Sequence, residues 1–209
     1  MRRITKDETP EFWTAFIKKN PQTTYQMLEE TQEGKTVKSQ IRAHMVQHQQ
    51  HLCGYCCKVI EAEQAHNEHI CPQSTYQKHS MEYSNLIASC TTQGGDATCG
   101  MKKRGNYDSS LFVSPLTADC EQHFRFLDNG KIDGITPEGQ YTIELLNLNS
   151  YALKTARSAL LKEIDRTAKA CGKEYVIEYY VDPSNGYLPR FVDMVDYFVR
   201  EGRFDSNFV

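Results

Sequence analysis

The sequence predicts an α+β fold, and three observations support this prediction. Apolar residues recur at helical spacing near both ends of the chain, whereas residues 53–110 contain only short apolar pieces broken by Cys, His, Gly and Asn. A tight-turn signal at 128–131 follows an aromatic run and predicts a hairpin. With 209 residues, the chain is long enough for one substantial domain. We divide it into an N-terminal helical segment (1–52), a cysteine-rich core (53–110) and an α-rich C-terminal extension (111–209).

The N-terminal segment is predicted to be helical in pieces. Apolar residues fall on one face of a short helix that starts at Glu11, and Asn20-Pro21 ends that helix. Residues 22–52 form the second helical stretch, with a break near Gly34. Three histidines of this stretch lie on one helical face: His44, His48 and His51. We interpret them as an exposed polar face, because the sequence places no further metal ligand beside them.

The C-terminal extension is predicted to be mostly helical around one hairpin. Its segments are, in chain order, a hairpin strand at 124–126, an apolar segment at 141–148, a long helix ending at Cys171-Gly172, a strand or a helix at 175–181, a turn at 182–186 and a helix at 191–199. Acidic residues outnumber basic ones between 108 and 209. We therefore expect this half of the chain, with its helix at 191–199, to offer a docking surface for a partner protein.

Composition excludes several classes of protein. The net charge is −3 and the pI is about 6.2, which argues against a generic basic coat for nucleic acid. No apolar run approaches the roughly 20 residues that a membrane helix needs. The first residues also lack the apolar stretch of a signal peptide. We expect a cytoplasmic protein.

Six of the eight cysteines fall between residues 53 and 99, and because the sequence shows no export signal, this clustering favours metal binding over disulfides. Cys53 and Cys56 form a CxxC pair, and Cys90 and Cys99 form a longer pair with Gly94-Gly95 between them. Two such pairs can close a tetrahedral four-cysteine zinc site. The alternative is a redox motif or independent free thiols. The other cysteines are interpreted as plain buried thiols: Cys57, Cys71, Cys120 and Cys171.

A second group of polar residues lies between the two cysteine pairs. His66, Glu68 and His69 precede Pro72, a pattern that suggests a strand ending at a reactive site. If Glu68 and His69 are successive strand residues, their side chains start on opposite faces, so a bulge or a strand end must bring them together. Asn85 precedes an apolar segment, predicted to be helical, and its amide can fix an imidazole or a loop. Taken alone, Glu68-His69 is also compatible with an ordinary solvated pair.

Together these motifs, CxYC, EHIxP, YxNLxxSC and CGxKK, resemble an HNH endonuclease with a zinc-bound ββα-metal core at residues 53–110. The opening MRRI and the later segments PLTADCEQHFRFLDNGKI and IELLNLN resemble one subfamily, PtuB. PtuB is the HNH partner of a AAA/ABC-type ATPase in Septu anti-phage systems and is also found with retrons. The resemblance covers about residues 1–165.

The resemblance implies a role for each motif residue. His69 would be the general base and Glu68 a ligand of a catalytic Mg2+ or Mn2+, while Asn85 would orient His69 or its loop. Zn2+ would occupy the four cysteines. Three basic residues would hold flanking phosphates: Lys102, Lys103 and Arg104. The implied partners are a PtuA-like ATPase, a nucleic acid (DNA, or alternatively RNA) and, in some systems, a retron RNA or DNA, with no membrane involved.

The sequence departs from the HNH pattern at one position. Many HNH sequences carry His or Asn directly after the last zinc cysteine as a metal ligand, and here that residue is Gly100. His66 is our first candidate for the missing ligand, because it lies two residues before Glu68 on the same strand face. The other candidates are Asp96, Asn106 and Asp108. Alternatively the site is degenerate, and the protein is a zinc-bound binding module.

Overall fold

The computed structural model describes residues 1–181 and 188–205. The helices are, in chain order, α1 (Glu11–Lys19), α2 (Gln32–His48), α3 (Cys99–Lys103), α4 (Pro137–Leu146), α5 (Tyr151–Cys171), α6 (Lys173–Tyr180) and α7 (Val192–Arg200). The strands are β1 (Ala65–His69), β2 (Leu86–Cys90), β3 (Phe124–Phe126) and β4 (Ile132–Gly134). Helices and two small antiparallel sheets together make an α+β fold, as predicted. The turn predicted at 182–186 lies outside the described residues.

The N-terminal helices form as the sequence predicts, except for the position of the break between them. α2 begins after Thr31, whose hydroxyl accepts a hydrogen bond from the Gly34 amide at 2.9 Å. Gly34 therefore lies inside the first turn of α2 rather than at a break. It packs so tightly against the Leu28 backbone that a side chain at residue 34 would collide with the Leu28 carbonyl. The break is the short turn before Thr31.

The histidine face predicted on the second helix is only partly present. α2 ends at His48, and His51 lies beyond it with a positive φ of 61° and contacts Glu61. His44 and His48 share the helix face, and both approach the carboxylate of Asp7 at 3.4 Å. The three imidazoles therefore do not form one face, because the chain turns away after His48.

The centre of the molecule is a two-stranded sheet followed by a short helix. β1 pairs antiparallel with β2, in a register that places His69 opposite Leu86 and Ala65 opposite Cys90. α2 packs against both strands, and α3 packs against β2. The helix predicted after Asn85 is wrong: this segment is strand β2, and it is buried along its whole length. Burial on both faces explains its continuous apolar run, which periodicity cannot distinguish from a helix.

The C-terminal extension contains the predicted hairpin, β3 with β4. The apolar segment at 141–148 is the second half of α4 with its C-terminal end, and the undecided segment at 175–181 is helical, in α6. α5 ends at Cys171 as predicted, before Gly172, which has a φ of +87°. None of these helices, nor any other in residues 1–181 and 188–205, is long and apolar enough to cross a membrane.

The three predicted segments share one hydrophobic core. A single buried cluster includes Trp13 of α1, Leu86 of β2 and Phe198 of α7. The apolar face of α7 faces this core, with Met194 and Val195 fully buried. The apolar side chains of this helix therefore contribute to folding, and a docking surface on the C-terminal extension stays a prediction. Of the remaining cysteines, Cys57 and Cys120 are buried as predicted, whereas Cys71 is half-buried and Cys171 is exposed.

Candidate functional site

Two cysteine pairs meet where the turn at residues 53–58, which we call the knuckle, contacts β2 and α3. The knuckle is a tight turn in which the Cys53 amide donates to the Lys58 carbonyl at 2.8 Å. The Gly54 amide donates to the Ala88 carbonyl at 3.0 Å, which fixes the turn against β2. Cys90 ends β2, and Cys99 begins α3. The loop between them allows both sulfurs to face the knuckle.

The four sulfurs of Cys53, Cys56, Cys90 and Cys99 are buried and all lie within 4.8 Å of one another. The sulfurs of Cys53 and Cys99 are 3.8 Å apart, and those of Cys56 and Cys90 are 3.9 Å apart. Tetrahedral bonds of about 2.3 Å place thiolate sulfurs about 3.8 Å apart. The cluster could therefore bind a metal ion such as zinc. Hydrogen bonds from the other three sulfurs lower the pKa of Cys90, which favours the thiolate form that a metal ion binds.

A carboxylate and an imidazole lie side by side on β1, next to this cluster. His66 and Glu68 are two residues apart, so they share a face of the strand. The His66 Nε2 and Glu68 Oε2 atoms are 3.1 Å apart, and the carboxylate is buried, with 6% of Glu68 exposed. Adjacent ligands of a six-coordinate ion with bonds of about 2.1 Å are about 3 Å apart. In the tautomer that leaves Nε2 without a proton, the pair can therefore offer one oxygen and one nitrogen to a divalent cation.

Glu68 is ionised in spite of its burial. Burial raises the pKa of this carboxyl, but the hydrogen bond from His66 and the charge of Lys103 outweigh it, so the net pKa is lowered. The Lys103 Nζ atom donates to Glu68 Oε1 at 2.8 Å, and the Tyr55 hydroxyl donates to the same oxygen at 3.2 Å. A charged carboxylate is the form that a cation requires.

His69 is the last residue of β1, and its imidazole has a defined tautomer. Its Nε2 atom lies 3.0 Å from the Ser80 carbonyl oxygen. Because a carbonyl only accepts hydrogen bonds, Nε2 carries the proton and Nδ1 keeps its lone pair. The ring packs edge-on against Tyr25 and is buried, with 6% of the residue exposed. Burial lowers the pKa of His69 more than the Ser80 carbonyl and Glu68 raise it, so the imidazole is neutral near pH 7.

Asn85 fixes the loop that follows β1. Its Oδ1 atom accepts from the Cys71 amide at 2.8 Å, and its Nδ2 atom donates to the Cys71 carbonyl at 3.0 Å and to the His79 carbonyl at 3.2 Å. These bonds join both ends of the loop between β1 and β2. The Asn85 amide contacts the backbone rather than the imidazole. One of its partners is His79, and the next residue, Ser80, supplies the carbonyl that orients His69.

Gly100 lies directly against the Glu68–His66 pair. A Cβ atom at residue 100 would lie 2.6 Å from His66 Nε2 and even closer to Glu68 Oε2. No side chain fits there while these two groups keep their positions. The other candidates for the missing ligand, Asp96, Asn106 and Asp108, are exposed, and no described contact joins them to Glu68.

The basic run at the end of α3 separates into two kinds of residue. Lys102 and Arg104 are exposed, so they remain free to meet a phosphate. Lys103 is 1% exposed and paired with Glu68. Its predicted contact with nucleic acid is therefore corrected, because the ammonium points into the protein.

Sequence reasoning missed Lys103 and Tyr55 as neighbours of Glu68. A signal for each was present. Lys103 follows Cys99 by four residues, so on a helix it shares the face of a buried cysteine. Tyr55 lies between the two cysteines of the knuckle, which anchors it beside the strands.

No protein-family model matches the chain. It is 32% identical over 144 residues to the "Retron Vc95 putative HNH endonuclease" of Vibrio cholerae serotype O1 biovar El Tor. That match covers 62% of this chain and 66% of the relative. The chain is also 26% identical over 216 residues to the "Retron Ec83 putative HNH endonuclease" of Escherichia coli, covering 81% of this chain and 82% of the relative. These similarities support a nuclease of the HNH type.

Proposed function

We propose that this chain is a metal-dependent HNH endonuclease that hydrolyses phosphodiester bonds in nucleic acid, with DNA as the favoured substrate. The observation that carries this proposal is the arrangement on β1. Glu68 and His66 form an adjacent oxygen–nitrogen pair at 3.1 Å, and His69 follows directly with a neutral, oriented imidazole. The printed names of the two relatives support the same reaction.

His69 acts as the general base in this proposal. Its Nδ1 atom accepts the proton of the attacking water, while its Nε2 keeps its own proton and donates it as a hydrogen bond to the Ser80 carbonyl oxygen. A lowered pKa keeps the imidazole in its accepting form near neutral pH. Asn85 holds the loop that supplies this carbonyl, so it keeps the base aimed.

Glu68 Oε2 and His66 Nε2 are the ligands proposed for the catalytic Mg2+ or Mn2+. Such an ion, when bound, neutralises the charge that develops on the phosphate and stabilises the leaving oxygen. Gly100 supports this assignment, since its missing side chain leaves the space that the two ligand groups occupy. Zn2+ is proposed for the separate four-cysteine cluster, as a structural ion.

Lys102 and Arg104 are proposed to hold phosphates that flank the cleaved bond. They are too few for tight, unspecific binding by a chain of net charge −3. This supports a partner that supplies the nucleic-acid groove. We propose a PtuA-like ATPase of the AAA/ABC type, in a cytoplasmic anti-phage system of the Septu type. The relatives' names support a retron RNA or DNA as a further component.

The proposal is tested by cleavage of plasmid DNA and total RNA in parallel, each with Mg2+ or Mn2+. Wild type and His69→Ala are compared alone and together with an ATPase encoded next to the gene. Loss of a general base lowers the rate by about 100- to 10,000-fold. We expect cleavage by wild type, none by His69→Ala, and equal zinc content in both.

The substrate that wild type degrades decides between DNA and RNA, because the base and metal chemistry does not depend on the 2′-hydroxyl. Cleavage that survives in His69→Ala would contradict the role of His69. Absence of cleavage by wild type, even with its partner, would favour a zinc-bound binding module.

A further inference from the structure

Lys103 is a buried cation to which the proposed mechanism assigns no role. Its side chain leaves α3 toward β1, and the residue is 1% exposed. The ammonium donates to Glu68 Oε1 at 2.8 Å and to the His69 carbonyl oxygen at 2.7 Å. One group therefore contacts the side chain of the proposed metal ligand and the backbone of the proposed base. Successive residues inside a strand start on opposite faces, but His69 is the last residue of β1, where this alternation ends.

The two oxygens of Glu68 have different neighbours. Oε1 accepts from Lys103 and from the Tyr55 hydroxyl, at 2.8 and 3.2 Å. Oε2 faces His66 Nε2 at 3.1 Å and the bare Cα of Gly100. The carboxylate is thus held by one oxygen and presents the other beside the imidazole. A carboxylate without such a hold can rotate and bind a cation through both oxygens.

We propose that Lys103 is a positioning residue that, with the Tyr55 hydroxyl, restricts Glu68 to coordination through Oε2 and keeps it in register with His69. This inference rests on the proposed function, because it assigns a task toward the divalent ion and the base. The ammonium does not touch the substrate. Its effect is geometric: it sets where the ion sits relative to the water that His69 deprotonates.

The test compares wild type with Lys103→Met, a substitution of similar length that removes the charge. Full-length, zinc-loaded proteins are titrated with Mn2+, and the free ion is followed by electron paramagnetic resonance. Hydrolysis of bis(p-nitrophenyl) phosphate at saturating Mn2+ gives kcat without a nucleic-acid groove or a partner. We expect kcat to fall about 10- to 100-fold while the Mn2+ dissociation constant stays within about threefold of wild type.

A fall in kcat with an unchanged Mn2+ dissociation constant separates a positioning role from a structural one. Oε2 and His66 Nε2 remain available to the ion in Lys103→Met, so binding persists although the geometry is lost. Lys162→Met, at an exposed lysine of α5, is the matched control and keeps wild-type kcat. A kcat in Lys103→Met within about twofold of wild type would overturn the proposal, since effects of positioning groups are about tenfold or larger.

Tyr55→Phe provides a second measurement if Lys103→Met fails to fold. It deletes one hydroxyl, leaves Lys103 in place, and is expected to lower kcat by about threefold to tenfold, less than a full loss of the hold. Wild-type kcat in Tyr55→Phe would then overturn the proposal.

Failure of the underlying function has a different signature. If wild type binds no Mn2+, or if Glu68→Gln binds it as well as wild type, the metal site itself is misassigned. If Glu68→Gln abolishes Mn2+ binding but Lys103→Met and Tyr55→Phe keep wild-type kcat, only the inference on Lys103 is wrong.

Discussion

The four-cysteine cluster and the Glu68–His66 pair lie against the same short helix, but they differ in how their donors are surrounded. The cluster has four buried sulfurs at tetrahedral distances and leaves no position for another ligand. The pair has two donors of different kinds beside a residue without a side chain, Gly100. We call the cluster the closed site and the pair the open site, because structural metal sites are closed in this way, whereas catalytic sites keep positions open for water and substrate.

The difference has a consequence for how the two sites depend on each other. Cys99 belongs to the closed site, and the next residue, Gly100, flanks the open one. An ion in the closed site therefore anchors the helix that shapes the open site. The closed site does not depend on the open one in the same way, because Glu68 and His66 contribute no atom to the four-sulfur cluster. Loss of the closed site should disturb both, and loss of the open site only itself.

Cys90→Ser should have the largest effect, because it removes one of four ligands. We expect bound zinc to fall from about one ion per chain to nearly none. Residues 53–110 should become sensitive to protease, and Mn2+ binding should be lost with the fold of this region. Zinc analysis, limited proteolysis and Mn2+ titration measure the three outcomes.

Cys171→Ser is the matched control, since Cys171 is exposed at the end of α5. A Cys90→Ser protein that keeps one zinc ion and normal protease resistance would refute the four-cysteine assignment.

Gly100→Ala should damage the open site and spare the closed one. The added Cβ would collide with Glu68 Oε2 and His66 Nε2 and push the donors apart. We expect Mn2+ affinity to fall by about 10-fold or more, with zinc content unchanged. Alanine also favours helix over glycine, which offsets part of the strain that the collision imposes on α3.

Gly95→Ala tests the same chemical change in open space, where no atom lies within 4 Å of the new Cβ. Equal Mn2+ affinities for the two variants would mean that the space at Gly100 has no role in metal binding.

The closed site was predictable from the sequence, whereas the open one was predictable only in part. Cysteine spacing reflects the short turns that bring sulfurs together, so local sequence carries the information. The placement of His66 beside Glu68 follows from strand alternation in the same way. The pairing of Glu68 with Lys103 spans 35 positions and depends on how α3 docks on the sheet. Charge runs in a sequence read as exposed, so local reasoning placed Lys103 on the surface.

The same limit explains the errors in the fold. β2 was predicted to be helical because a strand buried on both faces shows no alternation. For α7, amphipathicity shows that an apolar face exists but not what covers it; the core covers that face, and a docking surface elsewhere on the extension stays a prediction. Asp7 was not connected with the histidines. It lies in the irregular N-terminal arm, residues 1–10, which has no periodicity from which its path could be predicted.

That arm allows the smallest effect to be predicted, one that should leave both metal sites intact. His48 lies beside Asp7, Lys6 and His44, with Tyr83 donating to the Asp7 carboxylate at 2.8 Å. Burial lowers the pKa of His48 below 6.5, and Lys6 and His44 lower it further, although Asp7 raises it. As the pH falls, the unfolded chain therefore takes up this proton before the folded chain does. The stability due to neutral His48 is fully present above pH 6.5 and is lost as the pH falls toward the folded pKa.

His48→Gln should therefore flatten the decline of Tm between pH 7.5 and 5.5, measured by differential scanning fluorimetry. The change should be below about 4 °C, because a partly exposed histidine in a chain of this length contributes little. Gln47→Ala, at an exposed residue of the same helix that carries no titratable group, is the control and should leave the decline unchanged. Zinc content and Mn2+ affinity should equal wild type in both. Loss of either metal in His48→Gln would contradict this expectation. It would show that the metal sites depend on the N-terminal arm as well as on the sheet and α3.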